Sequence, residues 1–135
     1  LVGGEPVVRM LDERICGAMG IEPKMSEPSQ GQYYEVTQEF KPHTDYFEPY
    51  ELERNSTPTL GQRTWTFMLY LNDVEEGGET AFVSVGLSIP PKTGMAVIWN
   101  NLKRDGTPNY DTLHHGTPVK RGYKAIITKW FRRPR

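Results

Sequence analysis

The sequence predicts a mainly β domain of jelly-roll type with one helix buttressing it. Three observations predict this. From position 33 onward, short runs rich in β-branched and aromatic residues recur, separated by Gly, Pro and Asn turn signals. One of them, Thr64 to Asn72, is apolar on both faces, as a covered central strand is. A single stretch at helical spacing precedes them all.

That stretch is 5–19. Pro6 suits the first helical position and Gly20 the stop. Val7, Leu11, Ile15 and Ala18 fall on one face, broadened by Cys16 and Met19. Residues 21–31, rich in Pro, Ser and Gly, read as a loop. Tyr33 to Phe40 is a strand-like run broken near Gln38-Glu39, and Pro42 then precedes His43. Residues 46–62 carry two prolines, Asn55-Ser56-Thr57 and Gly61, and read as a long irregular loop. After the central strand come a tight turn at Glu75 to Thr80 and strands at Ala81 to Val85, Leu87 to Ile89 and Met95 to Asn100. A polar loop over 101–111 leads to a short strand, His114 to Val119. Lys120-Arg121-Gly122 turns the chain into a last strand, Tyr123 to Phe131.

The chain has 135 residues, enough for one domain with a real core, and 1–135 is read as a single domain. Hydrophobic and charged contents of 36% and 24% are those of a soluble globular chain. A net charge of -1 argues against nucleic acid as a partner, and the basic end, Lys129 to Arg135, reads as a solvated terminus. No apolar run reaches transmembrane length, so no membrane partner is expected. The lone Cys16 excludes an intrachain disulfide framework, and no signal peptide is visible; together these favour a cytoplasmic setting. The first residue is Leu1 rather than Met, so some N-terminal elements are expected to be missing.

The chemistry is concentrated in Pro42-His43-Thr44-Asp45. On a strand, residues i and i+2 share a face, so His43 and Asp45 can reach one ion. An imidazole and a carboxylate are two thirds of the facial triad of non-haem Fe(II) oxygenases. The third ligand must be a distant histidine, and the only others are His114 and His115. Near the start of the next strand, Lys124 shares a face with Ile126, Thr128 and Trp130. A lysine on such a face needs an anion or must reach solvent, and the carboxylate of a cosubstrate is one such anion.

At this point the chain resembles the catalytic domain of the prolyl 4-hydroxylase family, within the Fe(II)/2-oxoglutarate-dependent dioxygenases. The resemblance runs from about Tyr33 to Phe131. Its carriers are Tyr34, Phe40 to Phe47, Thr66 to Val74, Gly77-Gly78-Glu79-Thr80, Gly94 to Leu102, Thr112-Leu113-His114, Pro118-Val119 and Lys124 through Lys129-Trp130. It implies a double-stranded β-helix core and His43, Asp45 and His114 as iron ligands. His114 is selected because the family places that histidine four residues before a Pro-Val pair. His115 is then its neighbour on the opposite strand face.

The resemblance further implies that Lys124, Tyr34 and Thr66 bind the distal carboxylate of 2-oxoglutarate, with Trp99 and Trp130 walling the pocket. Phe40, Tyr46 and Trp130 are the substrate-side candidates. Phe40 stands where the family commonly has Tyr. Implied besides iron are 2-oxoglutarate and dioxygen as cosubstrates and ascorbate. The implied activity is hydroxylation of prolyl residues in a peptide or protein, releasing succinate and carbon dioxide. Two alternatives remain open: the same chemistry on a free amino acid or another small molecule, and a jelly-roll binding module without catalysis. The 46–62 loop, with Tyr46, Phe47 and Tyr50, is expected to close over the substrate.

Overall fold

A computed structural model describes residues 1–135. In chain order the elements are α1 (Pro6–Met19), a 3-10 turn (Pro23–Met25), β1 (Gln30–Tyr34), β2 (Phe40–His43), α2 (Pro49–Asn55), β3 (Leu60–Tyr70), β4 (Glu76–Gly77), β5 (Thr80–Phe82), β6 (Leu87–Ile89), β7 (Ala96–Asn100), a second 3-10 turn (Tyr110–Thr112), β8 (His114–Gly116), β9 (Val119–Arg121) and β10 (Lys124–Pro134).

The two longest strands, β3 and β10, pair antiparallel with Thr66 opposite Trp130 and Met68 opposite Thr128. β1 flanks β10 and β7 flanks β3, giving a four-stranded sheet in the order β1-β10-β3-β7. A second sheet, β2-β8-β5-β6, faces it, and β4 and β9 form a two-stranded ribbon beside them. Met68, Tyr70, Phe82, Val97, Trp99 and Ile126 bury one another between the sheets. On the outer face of the large sheet, Ile15 and Cys16 of α1 close over Phe67 and Phe131. This is the jelly roll with an N-terminal buttress that the strand spacing predicts.

The helix begins at Pro6 and stops at Gly20, whose left-handed φ of 65° lets its N–H donate back to Cys16 and Gly17. Its buried stripe is shifted by one position from the expected one. Val8 is buried, while Val7 is 66% exposed and Ala18 faces solvent. Val8, Leu11 and Ile15 make the stripe, one turn and then two turns apart.

Among the expected elements that differ, three stand out. The single strand His114 to Val119 is two, because β8 pairs with β2 and β5 whereas β9 pairs with β4. Pro118, without an N–H, sits at the switch. The strand expected to run to Val85 ends at Phe82, and Gly86, at a φ of 67°, turns the chain into β6. Residues 46–62 are not an irregular loop. Glu48 and Glu51 form a capping box that starts α2, and β3 already begins at Leu60.

Candidate metal centre and its pocket

The sheet register solves the problem of the distant ligand. His43 closes β2 and His114 opens β8, and the two are directly paired across the sheet. Asp45, two residues beyond His43, folds in beneath them and is 6% exposed. Its Oδ1 lies 3.4 Å from His43 Nε2 and 3.6 Å from His114 Nε2. One donor atom from each residue falls within 4.8 Å of the others.

The tautomers follow from the backbone. Each imidazole Nδ1 sits 2.8 Å from a carbonyl two residues upstream, Lys41 O for His43 and Thr112 O for His114. A carbonyl only accepts, so each Nδ1 carries a proton, and in the neutral ring, the form that binds metal, each Nε2 keeps a lone pair on the Asp45 side. Burial alone would raise the Asp45 carboxyl, but in the metal-free site a bond from a protonated His43 ring, the charge of a protonated His114 ring and the Thr66 hydroxyl outweigh it and hold it at about 2. Burial pushes His114 below the ordinary imidazole value. An anionic carboxylate with two neutral imidazoles is the donor set Fe(II) takes, and it occupies one side of the site only.

The triad opens into a cavity of about 260 Å³ between the sheets. Lys124, Ile126, Thr128 and Trp130 line it in sequence along β10. Lys124 is 3% exposed, and its Nζ donates to Gly78 O at 3.1 Å and lies 4.7 Å from the centre of the Tyr34 ring. No carboxylate pairs with it. Burial lowers its pKa to about 8. A buried cation in a cavity, facing one carbonyl and one aromatic ring, fits an anionic cosubstrate and little else.

A model of the 2OG-Fe(II) oxygenase superfamily matches residues 29–132. The chain belongs to this superfamily. Within it, the resemblance is to prolyl 4-hydroxylases. The chain is 36% identical over 137 residues to prolyl 4-hydroxylase subunit alpha-1 of Rattus norvegicus, covering 96% of this chain and 26% of the relative. Against prolyl 4-hydroxylase 5 of Arabidopsis thaliana it is 34% identical over 148 residues, covering 96% and 50%. It thus spans half or less of the length of these curated relatives. Among solved structures, viral collagen prolyl hydroxylase from Paramecium bursaria Chlorella virus-1, in its 2OG complex, superposes with a TM-score of 0.79 at 27% identity, covering 98% of this chain and 76% of that one. A Pseudomonas putida prolyl-4-hydroxylase shares the fold, with a TM-score of 0.60 at 19% identity.

In this oxygenase Tyr34, Phe40, Trp99 and Trp130 line the same cavity as the triad and Lys124. Phe40 stacks on the His43 ring at 3.8 Å. His115 points the other way, its Nε2 3.3 Å from Glu39 Oε2. Two expectations are corrected. Thr66 is fully buried and is not part of the cavity wall; its hydroxyl donates to Asp45 Oδ2 at 2.7 Å, so it has no proton to offer a cosubstrate. Tyr46 is buried and outside the cavity as well.

Two residues of the site escaped the sequence reading. Thr80 lines the cavity, bonded to Tyr70 OH at 2.5 Å, and pairs with Gly116, whose open α-position lies against Lys124 Nζ. The sequence alone places it at the end of a tight turn. Arg63 also lines the cavity, stacked on Phe47 and Trp130 and held by both oxygens of Glu27. Glu27 is 36 positions away in a stretch read as loop, so no local pattern pointed to the pair.

Proposed function

We propose that this chain is the catalytic domain of an Fe(II)- and 2-oxoglutarate-dependent dioxygenase that hydroxylates prolyl residues in a peptide or protein. The observation that carries the reading is the presence of His43, Asp45, His114 and the unpaired Lys124 in one cavity. A binding module has no use for a deprotonated metal triad beside a buried lysine. The prolyl substrate rests on the prolyl 4-hydroxylase relatives and on the viral enzyme that acts on collagen.

His43 Nε2, Asp45 Oδ1 and His114 Nε2 would hold the iron. Bound iron with 2-oxoglutarate and dioxygen supplies the oxidising power, yielding succinate, carbon dioxide and a hydroxylated C–H bond, and ascorbate keeps the metal ferrous. The protein contributes position and exclusion of water. Lys124 binds the distal carboxylate by a charge-assisted hydrogen bond, with the Tyr34 ring beside it. Ile126, Met68 and Trp99 form an apolar wall that keeps water from the reacting atoms. Phe40, 41% exposed over His43, and Trp130 present aromatic surface to an incoming proline ring.

The test is succinate release by the purified chain with Fe(II), 2-oxoglutarate and ascorbate, comparing proline-rich peptides with free proline. Stimulation by peptide is expected. Stimulation by free proline alone would assign the chemistry to a small molecule, and no succinate under any condition would remove the enzyme reading.

A further inference from the structure

Behind Asp45 lies a buried polar relay, whose members Thr66 and Asn101 neither hold metal nor line the cavity. Asp45 Oδ2 accepts from Thr66 Oγ1 at 2.7 Å and from Trp130 Nε1 at 3.1 Å. Thr66 in turn receives Asn101 Nδ2 at 2.9 Å. Thr66 and Asn101 are both 0% exposed.

The direction of every bond in the relay is determined. A carboxylate can only accept, so the single Thr66 proton goes to Asp45. Thr66 can then only accept from its other side, so Asn101 must present its amide N–H. Asn101 Oδ1 is left buried without a partner. The amide is therefore retained in the interior for one side-chain bond, the one to Thr66. The backbone holds it in place, its N–H donating to Thr64 O and its C=O accepting from Asn109.

We propose that Thr66 and Asn101 are positioning residues of the metal centre. Asn101 fixes the Thr66 proton on Asp45 Oδ2, and Thr66 with Trp130 holds that oxygen away from the metal. Asp45 then offers Oδ1 alone, 3.4 and 3.6 Å from the two imidazole nitrogens. A carboxylate free to turn would place both oxygens on the ion and occupy a position the cosubstrate needs. Outer hydrogen bonds of this kind set ligand orientation and metal affinity. The inference rests on the reading of His43, Asp45 and His114 as ligands.

The experiment is titration of the metal-free chain with Co(II), whose visible absorption responds to coordination number. Thr66→Val keeps the shape and removes the donor; Asn101→Leu removes the donor behind it. Each is expected to weaken Co(II) binding about 10- to 100-fold and to change the visible spectrum. Thr66→Ser should restore both affinity and spectrum. The double variant should be no worse than Thr66→Val, because Asn101 acts only through Thr66. Wild-type affinity and spectrum in Thr66→Val overturn the proposal, and additive losses overturn the relay. If circular dichroism finds Thr66→Val unfolded, Asn101→Leu against Thr66→Ser decides by the same criteria. His43→Ala separates the two levels: if it binds Co(II) as wild type does, the ligand assignment itself has failed.

Discussion

At the scale of the residue, Lys124 is the side chain whose energetics are most exposed to measurement. Its folded pKa of about 8 lies below the ordinary 10.5, so the cavity disfavours its charge. Below pH 8 the fold holds a buried ammonium at a cost. Between pH 8 and 10.5 the folded chain gives up that proton while the unfolded chain keeps it, so this residue makes stability rise with pH. The ligand-free chain should gain about 3 kcal/mol across that window relative to Lys124→Met, read by urea unfolding at pH 7.5 and 10. The cosubstrate needs the charged form. Its affinity should therefore fall above pH 8, and Lys124→Ala should bind 2-oxoglutarate about 10- to 100-fold more weakly at pH 7, the loss of one hydrogen bond to a charged group. Iron binding should be nearly unchanged in that variant, checked by Co(II) titration.

Residue identities in the site were legible wherever a short pattern carried them. His43 and Asp45 are two apart and share a face, and Lys124 stands with Ile126, Thr128 and Trp130 at strand spacing. Thr66 and Thr80 were not separable in that way. Both lie near strands of the right kind, and only the register tells which hydroxyl looks into the cavity. Thr66 opposes Trp130 and turns to Asp45, whereas Thr80 opposes Gly116, beside Lys124.

At the scale of the element, Gly77 is the position where backbone geometry admits no substitute. Its φ is 81°, and a Cβ there would collide with Pro118 O and sit 2.8 Å from Lys120 N. Gly77 ties the β4–β9 ribbon, next to the Gly78 carbonyl that holds Lys124. Gly77→Ala should destabilise the chain by about 1–3 kcal/mol and weaken 2-oxoglutarate binding as well, measured by thermal unfolding and by titration of the folded fraction. Gly86→Ala, with a similar φ and nothing within 4 Å, should show the smaller backbone effect alone and leave 2-oxoglutarate affinity unchanged.

The segment 46–62 shows where element-level reading fails. Pro, Asn, Ser and Gly suggested an irregular lid, but Gln62 bonds both the N–H and the C=O of Phe47, and Arg132 bonds the carbonyls of Asn55 and Gly61. Both anchors are long-range and invisible to local composition. The segment holds a short helix with a capping box and two anchors, and none of its residues lines the cavity. The helix stripe differs at its first position for a related reason: Val7 and Val8 are equal by composition, and only the tertiary packing that buries Val8 chooses between them.

At the scale of the whole molecule, the fold is a device for bringing two distant stretches to one point. β2 supplies His43, the chain just past it Asp45, and β8 His114, 69 positions beyond Asp45. The large sheet supplies Lys124 and Trp130 from one strand face. The central position of β3 was legible from its hydrophobic run. The division of the His114–Val119 stretch between two sheets was not, because partner choice is a tertiary property.

The central claim joins the triad to hydroxylation of peptidyl proline. It is tested most directly by mass spectrometry of a proline-rich peptide after incubation with Fe(II), 2-oxoglutarate and ascorbate, for the wild-type chain, His114→Ala and His115→Ala. One added oxygen atom on proline is expected with wild type, matched one for one by succinate, none with His114→Ala, and much of it retained with His115→Ala. Oxygen addition surviving in His114→Ala, or absent from every proline peptide with the wild-type chain, would contradict it.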